Sequence, residues 1–346
     1  MLCLPMIFLL ITATSWSLNI DTVSISCVTY NVQNQQQLDS LLRNLSLNIH
    51  DKSCIRLSIA NSDFTLDLIL LMQISLDSNS SLIIVGDGSV NINCTTNITD
   101  LETLREIVQP ISHAAFVMID GFVFSKCPVP IMIEEVTTVM IQNCVFLDHQ
   151  HGAVCIFNSP NVTIRNCTFL NNNSSSYFVK WPYQVSSGGI SVAYNYQLVT
   201  LQLLHYINII IANCTFTNNH AVPFEHLEVL QTDAHIRNTF TGRGGGLSIM
   251  IHAESTVNYT LVNCVFENNS ARFHGGGGYI FVRGAFGLNQ YYHLENNIFK
   301  LNRARRAGGA FVFALDIYSS SQFVQNAVIH NCVFENNIAG FTGGAL

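Results

Sequence analysis

The most regular feature of the chain is a six-residue pattern that opens on an aliphatic side chain and closes on phenylalanine. It reads Ile119-Asp-Gly-Phe-Val-Phe124, Ile141-Gln-Asn-Cys-Val-Phe146, Ile164-Arg-Asn-Cys-Thr-Phe169 and Ile211-Ala-Asn-Cys-Thr-Phe216. It continues as Leu261-Val-Asn-Cys-Val-Phe266, Leu294-Glu-Asn-Asn-Ile-Phe299 and Ile329-His-Asn-Cys-Val-Phe334. Side chains on a straight strand alternate sides, so two residues on one face stand an even number apart. The aliphatic and the phenylalanine stand five apart. The chain must therefore bend between them. The third position, asparagine in six copies and Gly121 in the other, holds the residue types that tolerate left-handed backbone angles. Each copy predicts a strand, a sharp corner and a second strand.

Measured at the fourth position, successive copies are 22, 23, 47, 50, 33 and 35 residues apart. The shortest steps have the size of one turn of a solenoid whose coils hydrogen-bond to one another at roughly 4.8 Å. Longer steps read as coils with longer turns or with a degenerate copy between them. A second signature follows in the C-terminal half: Phe169, Phe216, Phe266, Phe299 and Phe334 each have asparagine three residues on. Glycine pairs then open the next strand, as in Gly188-Gly189-Ile190, Gly244-Gly245-Gly246-Leu247, Gly276-Gly277-Gly278-Tyr279, Gly308-Gly309-Ala310-Phe311 and Gly343-Gly344-Ala345-Leu346.

These residues resemble the F-x-x-N and G-G-A-[ILVF] repeats of polymorphic outer membrane proteins and, more broadly, the pectin-lyase-like right-handed β-helix. The resemblance covers about residues 115 to 346. It departs where only the last two glycine pairs keep alanine next and where Phe146 is followed by His149 in place of asparagine. It implies an all-β, right-handed parallel β-helix solenoid, and a role in adhesion or surface display. The same broad fold includes polysaccharide lyases and glycoside hydrolases, which makes a carbohydrate-active enzyme the alternative.

The N-terminal part adds three expectations. Residues 1–17 carry an apolar run with small residues at Ser15 and Ser17, which reads as a cleavable signal peptide. Leu38, Leu41, Leu42 and Leu45 have i, i+3, i+4, i+7 spacing, which predicts a short amphipathic helix capping the first coil, so that residues 18–60 form an N-terminal cap and first strand. Residues 61–346 then form the β-helix, which stops at Leu346 as a new strand opens and is read as truncated there, with further domains beyond. No later segment qualifies as a membrane span, since the best candidate, Leu66 to Leu76, carries Asp67 and Gln73.

Composition narrows the function. With 346 residues, 49% hydrophobic and 11% charged, the chain buries a core and is not disordered. A net charge of -7 argues against nucleic-acid binding. Sequons throughout the sequence agree with an exported glycoprotein. Asn44, Asn79, Asn97 and Asn258 are the favoured sites, while Asn166 and Asn213 are corner residues expected to stack in an inward ladder with low occupancy. Setting Cys3 aside with the leader, Cys27 and Cys54 are the favoured disulfide. Cys144, Cys167, Cys214, Cys264 and Cys332 hold one repeat position and are read as an inward column beside Phe146, Phe169, Phe216, Phe266 and Phe334. Such a column packs as small hydrophobes, although neighbouring coils also bring its members within disulfide range.

No catalytic residue, metal ligand or cofactor is assigned. Asp148, His149 and His151 form the densest polar knot and read as a solvated turn. Glu134-Glu135, the one adjacent acidic pair, straddles a strand. Arg303-Ala-Arg-Arg306 matches a convertase cleavage pattern but reads first as a charged, solvent-facing corner. Long inserts, Asn173 to Ser187 and Ala221 to Thr241, are the expected recognition loops, with Tyr177, Trp181 and Tyr183 placed either to stack on sugars or, equally, to pack down on the solenoid. The expectation is a non-enzymatic secreted or cell-surface β-helix with an extracellular protein or glycan as partner.

Overall fold

The computed structural model describes residues 27–34, 36–37, 40, 54–59, 64–66, 79–94, 111–127, 129–175, 179–180, 183–184, 187–195, 206–222, 242–252, 255–284, 289–317 and 324–345. Its strands stack in parallel, each on the equivalent strand of the next coil, and the only antiparallel strand pair among these residues is Val179–Lys180 with Tyr183–Gln184. The described part is a parallel β-helix solenoid. The leader (1–17) and the leucines of the expected capping helix lie outside the described residues.

Each coil follows one path. A first strand such as Asn161–Arg165 ends at Asn166, a short second strand Thr168–Leu170 ends at Asn171, and a third, Asn173–Ser175, precedes the return strand Ile190–Asn195. First and second strands share the 17-stranded sheet, return strands form a seven-stranded sheet, and third strands form a five-stranded one. The parallel ladder already includes Cys27–Val32 paired on Cys54–Ile59, which in turn pairs with Ser81–Cys94.

The bend required by the five-residue spacing is a left-handed corner. Asn143, Asn166, Asn213, Asn263, Asn296 and Asn331 all have φ between 49° and 54°, and Gly121 has 77°. From Asn166 to Asn296 the side-chain amide donates to the asparagine of the coil before: Asn166 Nδ2 to Asn143 Oδ1 at 3.1 Å, Asn213 to Asn166 at 3.2 Å, Asn263 to Asn213 at 3.1 Å and Asn296 to Asn263 at 3.2 Å. This ladder faces solvent, which corrects its expected inward placement: a left-handed corner is convex, and its side chain points out of the turn. A second left-handed corner stands at Asp148, Asn171, Asn218, Asn268, Leu301 and Asn336, a position less uniform in the sequence than the asparagine one residue later.

That later asparagine is the buried one. Asn219 Nδ2 donates to Phe169 O at 3.0 Å and to Asn269 Oδ1 at 3.0 Å, while its own Oδ1 accepts from Asn172 N and Asn172 Nδ2 at 3.1 and 2.9 Å. Asn172, Asn269 and Asn302 repeat the arrangement with both amide ends occupied. Burying an amide is tolerable only with its hydrogen bonds made, and here every coil makes them for its neighbour.

In-register stacking forces equivalent side chains into the same rotamer. Phe124, Phe146, Phe169, Phe216, Phe266, Phe299 and Phe334 form one column with ring centroids 4.5–5.2 Å apart and planes within 11° of parallel. Cys144, Cys167, Cys214 and Cys264 form a buried column of free thiols beside it, and burial pushes the first three thiols above their ordinary range. Cys332 is free and half-buried at the last coil. Asn297 replaces cysteine in this column and stays satisfied, accepting from Cys264 N at 2.9 Å and donating to Leu261 O at 2.8 Å.

Candidate binding surface

The corner leading from the five-stranded sheet to the seven-stranded sheet is made differently. Gly244, Gly275 and Gly308 have φ of 67°, 68° and 63°. The glycine after each meets the next coil: a Cβ on Gly276 would stand 2.3 Å from Gly309 O and 2.5 Å from Arg303 N. The first glycine of the pair supplies the left-handed angle and the second allows close backbone approach. No side-chain amide links these corners, and the connection length is free to vary. It is 14 residues after Asn173–Ser175, 24 after His220–Val222, and 6 after both Ser270–Ala271 and Arg303–Ala304.

Both long inserts therefore leave the frame at the same corner of consecutive coils, since Asn173–Ser175 pairs with His220–Val222 and Ile190–Asn195 pairs with Leu247–His252. Their expected starts are corrected. Asn173 and Ala221 are not loop residues but lie in third strands, which went unrecognised because they are only two or three residues long. A signal existed: five residues after Phe169, Phe216, Phe266, Phe299 and Phe334 come Ser174, Ala221, Ala271, Ala304 and Ala339, and the first four are buried.

Other sequence candidates fall as follows. Tyr177 and Trp181 lie outside the described residues, and Tyr183 is described only by its backbone pairing with Lys180. Asn44 and Asn97 also lie outside. Asn79 is exposed at a turn. Asn258 lies half-buried in the middle of Thr256–Val262, where its Nδ2 donates to Asn208 Oδ1 at 3.0 Å, so Asn79 is the more accessible of the two. Cys27 and Cys54 are joined as a disulfide with Cα atoms 4.4 Å apart, and Cys127 is disulfide-bonded as well.

The polar knot is corrected most. Asp148 is an exposed corner residue, but His149 and His151 are buried, so this is not a solvated turn. His149 stands at the head of the buried asparagine ladder. Its backbone N–H donates to Asn172 Oδ1 at 3.1 Å, and its Nδ1 lies 3.1 Å from Cys127 N, taking the place of the asparagine oxygen. Its Nε2 is buried without a partner, and burial lowers its pKa to about 4. The Arg303-Ala-Arg-Arg306 segment begins as a strand paired on both sides, with Ala304 buried.

Several described carboxylates have partners, most of them on a neighbouring coil, while Glu295 pairs within its own strand. Asp120 accepts from Gln142 Nε2 at 2.8 Å and Asn143 Nδ2 at 2.7 Å. Glu135 lies 3.1 Å from His113, Glu295 lies 3.0 Å from His293, and Glu335 lies 3.9 Å from Lys300. Among the described residues no helix is long and apolar enough to cross a membrane.

A family model described as a right handed beta helix region matches residues 74–344. No curated protein and no solved structure matches the chain. The narrower resemblance to polymorphic outer membrane proteins has no counterpart in these comparisons, which reach the β-helix region as a whole.

Proposed function

The chain belongs to the right-handed β-helix family, and on that premise we propose that it is a non-enzymatic secreted or cell-surface protein that binds an extracellular protein or glycan. The observation that carries this reading is the emergence of both long inserts side by side from one corner of a rigid, laddered frame. Rigid scaffolds that vary loop length at one edge place recognition there. The leader and the sequons support the compartment, with Asn79 as an accessible glycan site. Asp120, Glu135 and Glu335, engaged with neighbouring coils, support binding over acid–base chemistry.

The rival reading is a polysaccharide lyase or glycoside hydrolase. Purified protein is to be screened for both retention and turnover of pectate, alginate, chitin and glycosaminoglycans. Retention without turnover is the expected result. Turnover that disappears in Asp148→Ala would overturn the proposal.

A further inference from the structure

The corner that releases the inserts closes into short turns in the later coils, and there arginine accumulates. The outward column of the third strands runs Asn173, His220, Ser270, Arg303 in register. One step past the buried alanines, Arg272 and Arg305 occupy equivalent positions of adjacent coils, with Arg305 N donating to Ala271 O at 3.1 Å. Arg306 follows, its guanidinium 4.9 Å over the Phe273 ring of the preceding coil. Arg243, one coil earlier again, lies 5.1 Å over the Tyr279 ring and donates to its hydroxyl at 2.9 Å.

Coils rise by about 4.8 Å, so Arg272, Arg303, Arg305 and Arg306 crowd like charges onto two consecutive turns. Among the described residues, no carboxylate lies within ion-pair distance of these four. The whole chain carries -7, so this corner opposes the overall sign of the protein. His274 on the same corner has its pKa lowered to about 4, first by burial and then by the charges of Arg243 and Arg306.

The geometry points to a binding site for an acidic polysaccharide, a chain bearing carboxylate or sulfate groups, laid along the solenoid axis across Arg272, Arg303, Arg305 and Arg306. It rests on the reading of this edge as the binding face and names the ligand class. Guanidinium groups present forked donors that match carboxylate and sulfate oxygens. Anions repeated along an extended chain match cations repeated at the coil rise. Ser270 Oγ, on the coil of Arg272, and His220 Nδ1, on the coil before, lie 2.7 Å apart and add neutral hydrogen-bonding groups suited to sugar hydroxyls. Single-stranded nucleic acid is bound on successive open aromatic faces, whereas here the Phe273 and Tyr279 rings are covered by arginine and Phe341, whose N–H donates to Arg306 O, is a single open ring.

The test uses the whole chain with heparin, polygalacturonate, neutral dextran and a single-stranded DNA oligonucleotide as probes, titrated at several salt concentrations. An Arg303→Ser/Arg305→Ser double variant is compared with Arg56→Ser/Lys126→Asn, which removes equal charge from exposed positions elsewhere. Wild type is expected to bind heparin, polygalacturonate or both, and not dextran. Binding of heparin alone identifies sulfate as the recognised group, and of polygalacturonate alone carboxylate. The corner variant should lose roughly tenfold in affinity, with a shallower salt dependence, while the control stays within about twofold. Equal affinity of the two variants, tighter binding of the oligonucleotide, or binding of neither acidic glycan overturns the site. If both variants retain a neutral glycan or a protein ligand equally, the ligand class fails while the binding role stands. Glycan turnover removes the role itself.

Discussion

The asparagine corners and the glycine corner turn the same coils with different chemistry. At the former, side-chain amides bond along the solenoid axis, inside at Asn172, Asn219, Asn269 and Asn302 and outside at Asn143, Asn166, Asn213 and Asn263. A shorter or longer connection would break every rung, and so the spacing between first and second strands stays fixed. At the glycine corner backbone lies against backbone, and the side-chain contacts between coils change from one coil to the next, as where Ser187 Oγ donates to Gly245 O and Arg243 to the Tyr279 hydroxyl. Length and charge there are free to change, which is why inserts and arginines gather on that edge. Periodicity marks where structure is held, and its failure marks where recognition has room.

The comparison breaks hardest at Gly276. Because a Cβ there would run into backbone on two sides, Gly276→Val should destabilise the later coils by about 5 kcal/mol or more, read as a large drop in the urea midpoint. Phe216→Ala, which opens the middle of the ring column, should cost about 4 kcal/mol in the same measurement. The two asparagine ladders are separated by a matched pair. Asn219→Ala strands the Phe169 carbonyl and the Asn172 amide in the interior and should cost about 2–3 kcal/mol. Asn213→Gly keeps the left-handed angle on the exposed corner and should stay within about 0.5 kcal/mol. Equal losses at the two positions would deny the inside–outside distinction.

A smaller effect sharpens the junction where the buried ladder ends. His149 is held neutral in the fold, with its pKa lowered from 6.5 to about 4. Its folded pKa lies below its unfolded one, so its contribution is complete above pH 6.5 and is lost as pH falls toward 4. His149→Asn restores the ladder residue and should flatten the decline of thermal midpoint over that window. His274, also lowered to about 4, leaves a residual slope. An unchanged acid limb in His149→Asn would remove His149 from the account.

Much of this was legible from residues alone. The odd spacing between aliphatic and phenylalanine demanded a bend, and only a left-handed corner at Asn143 or Asn166 supplies one. The cysteine column followed from its shared repeat position. Harder to read were the short third strands, marked only by one small residue five positions after the phenylalanine, and the burial of His149, because one ring standing in for an asparagine has no pattern of its own. The aromatics Tyr177 and Trp181, singled out for their chemistry, lie outside the described residues.

The sequence by itself determined the coil, since alternation, a forced bend and repeated asparagine and glycine leave a stacked parallel ladder as the arrangement that satisfies all of them. Which asparagine of each pair is buried was decided only by the tertiary structure. So were the inward-facing small residues of the third strand and the gathering of Arg272, Arg303, Arg305 and Arg306 on one edge. The reason is physical: local preference fixes where a chain turns, but sidedness and neighbourhood arise between coils, where residues 22 or more positions apart come within hydrogen-bond reach.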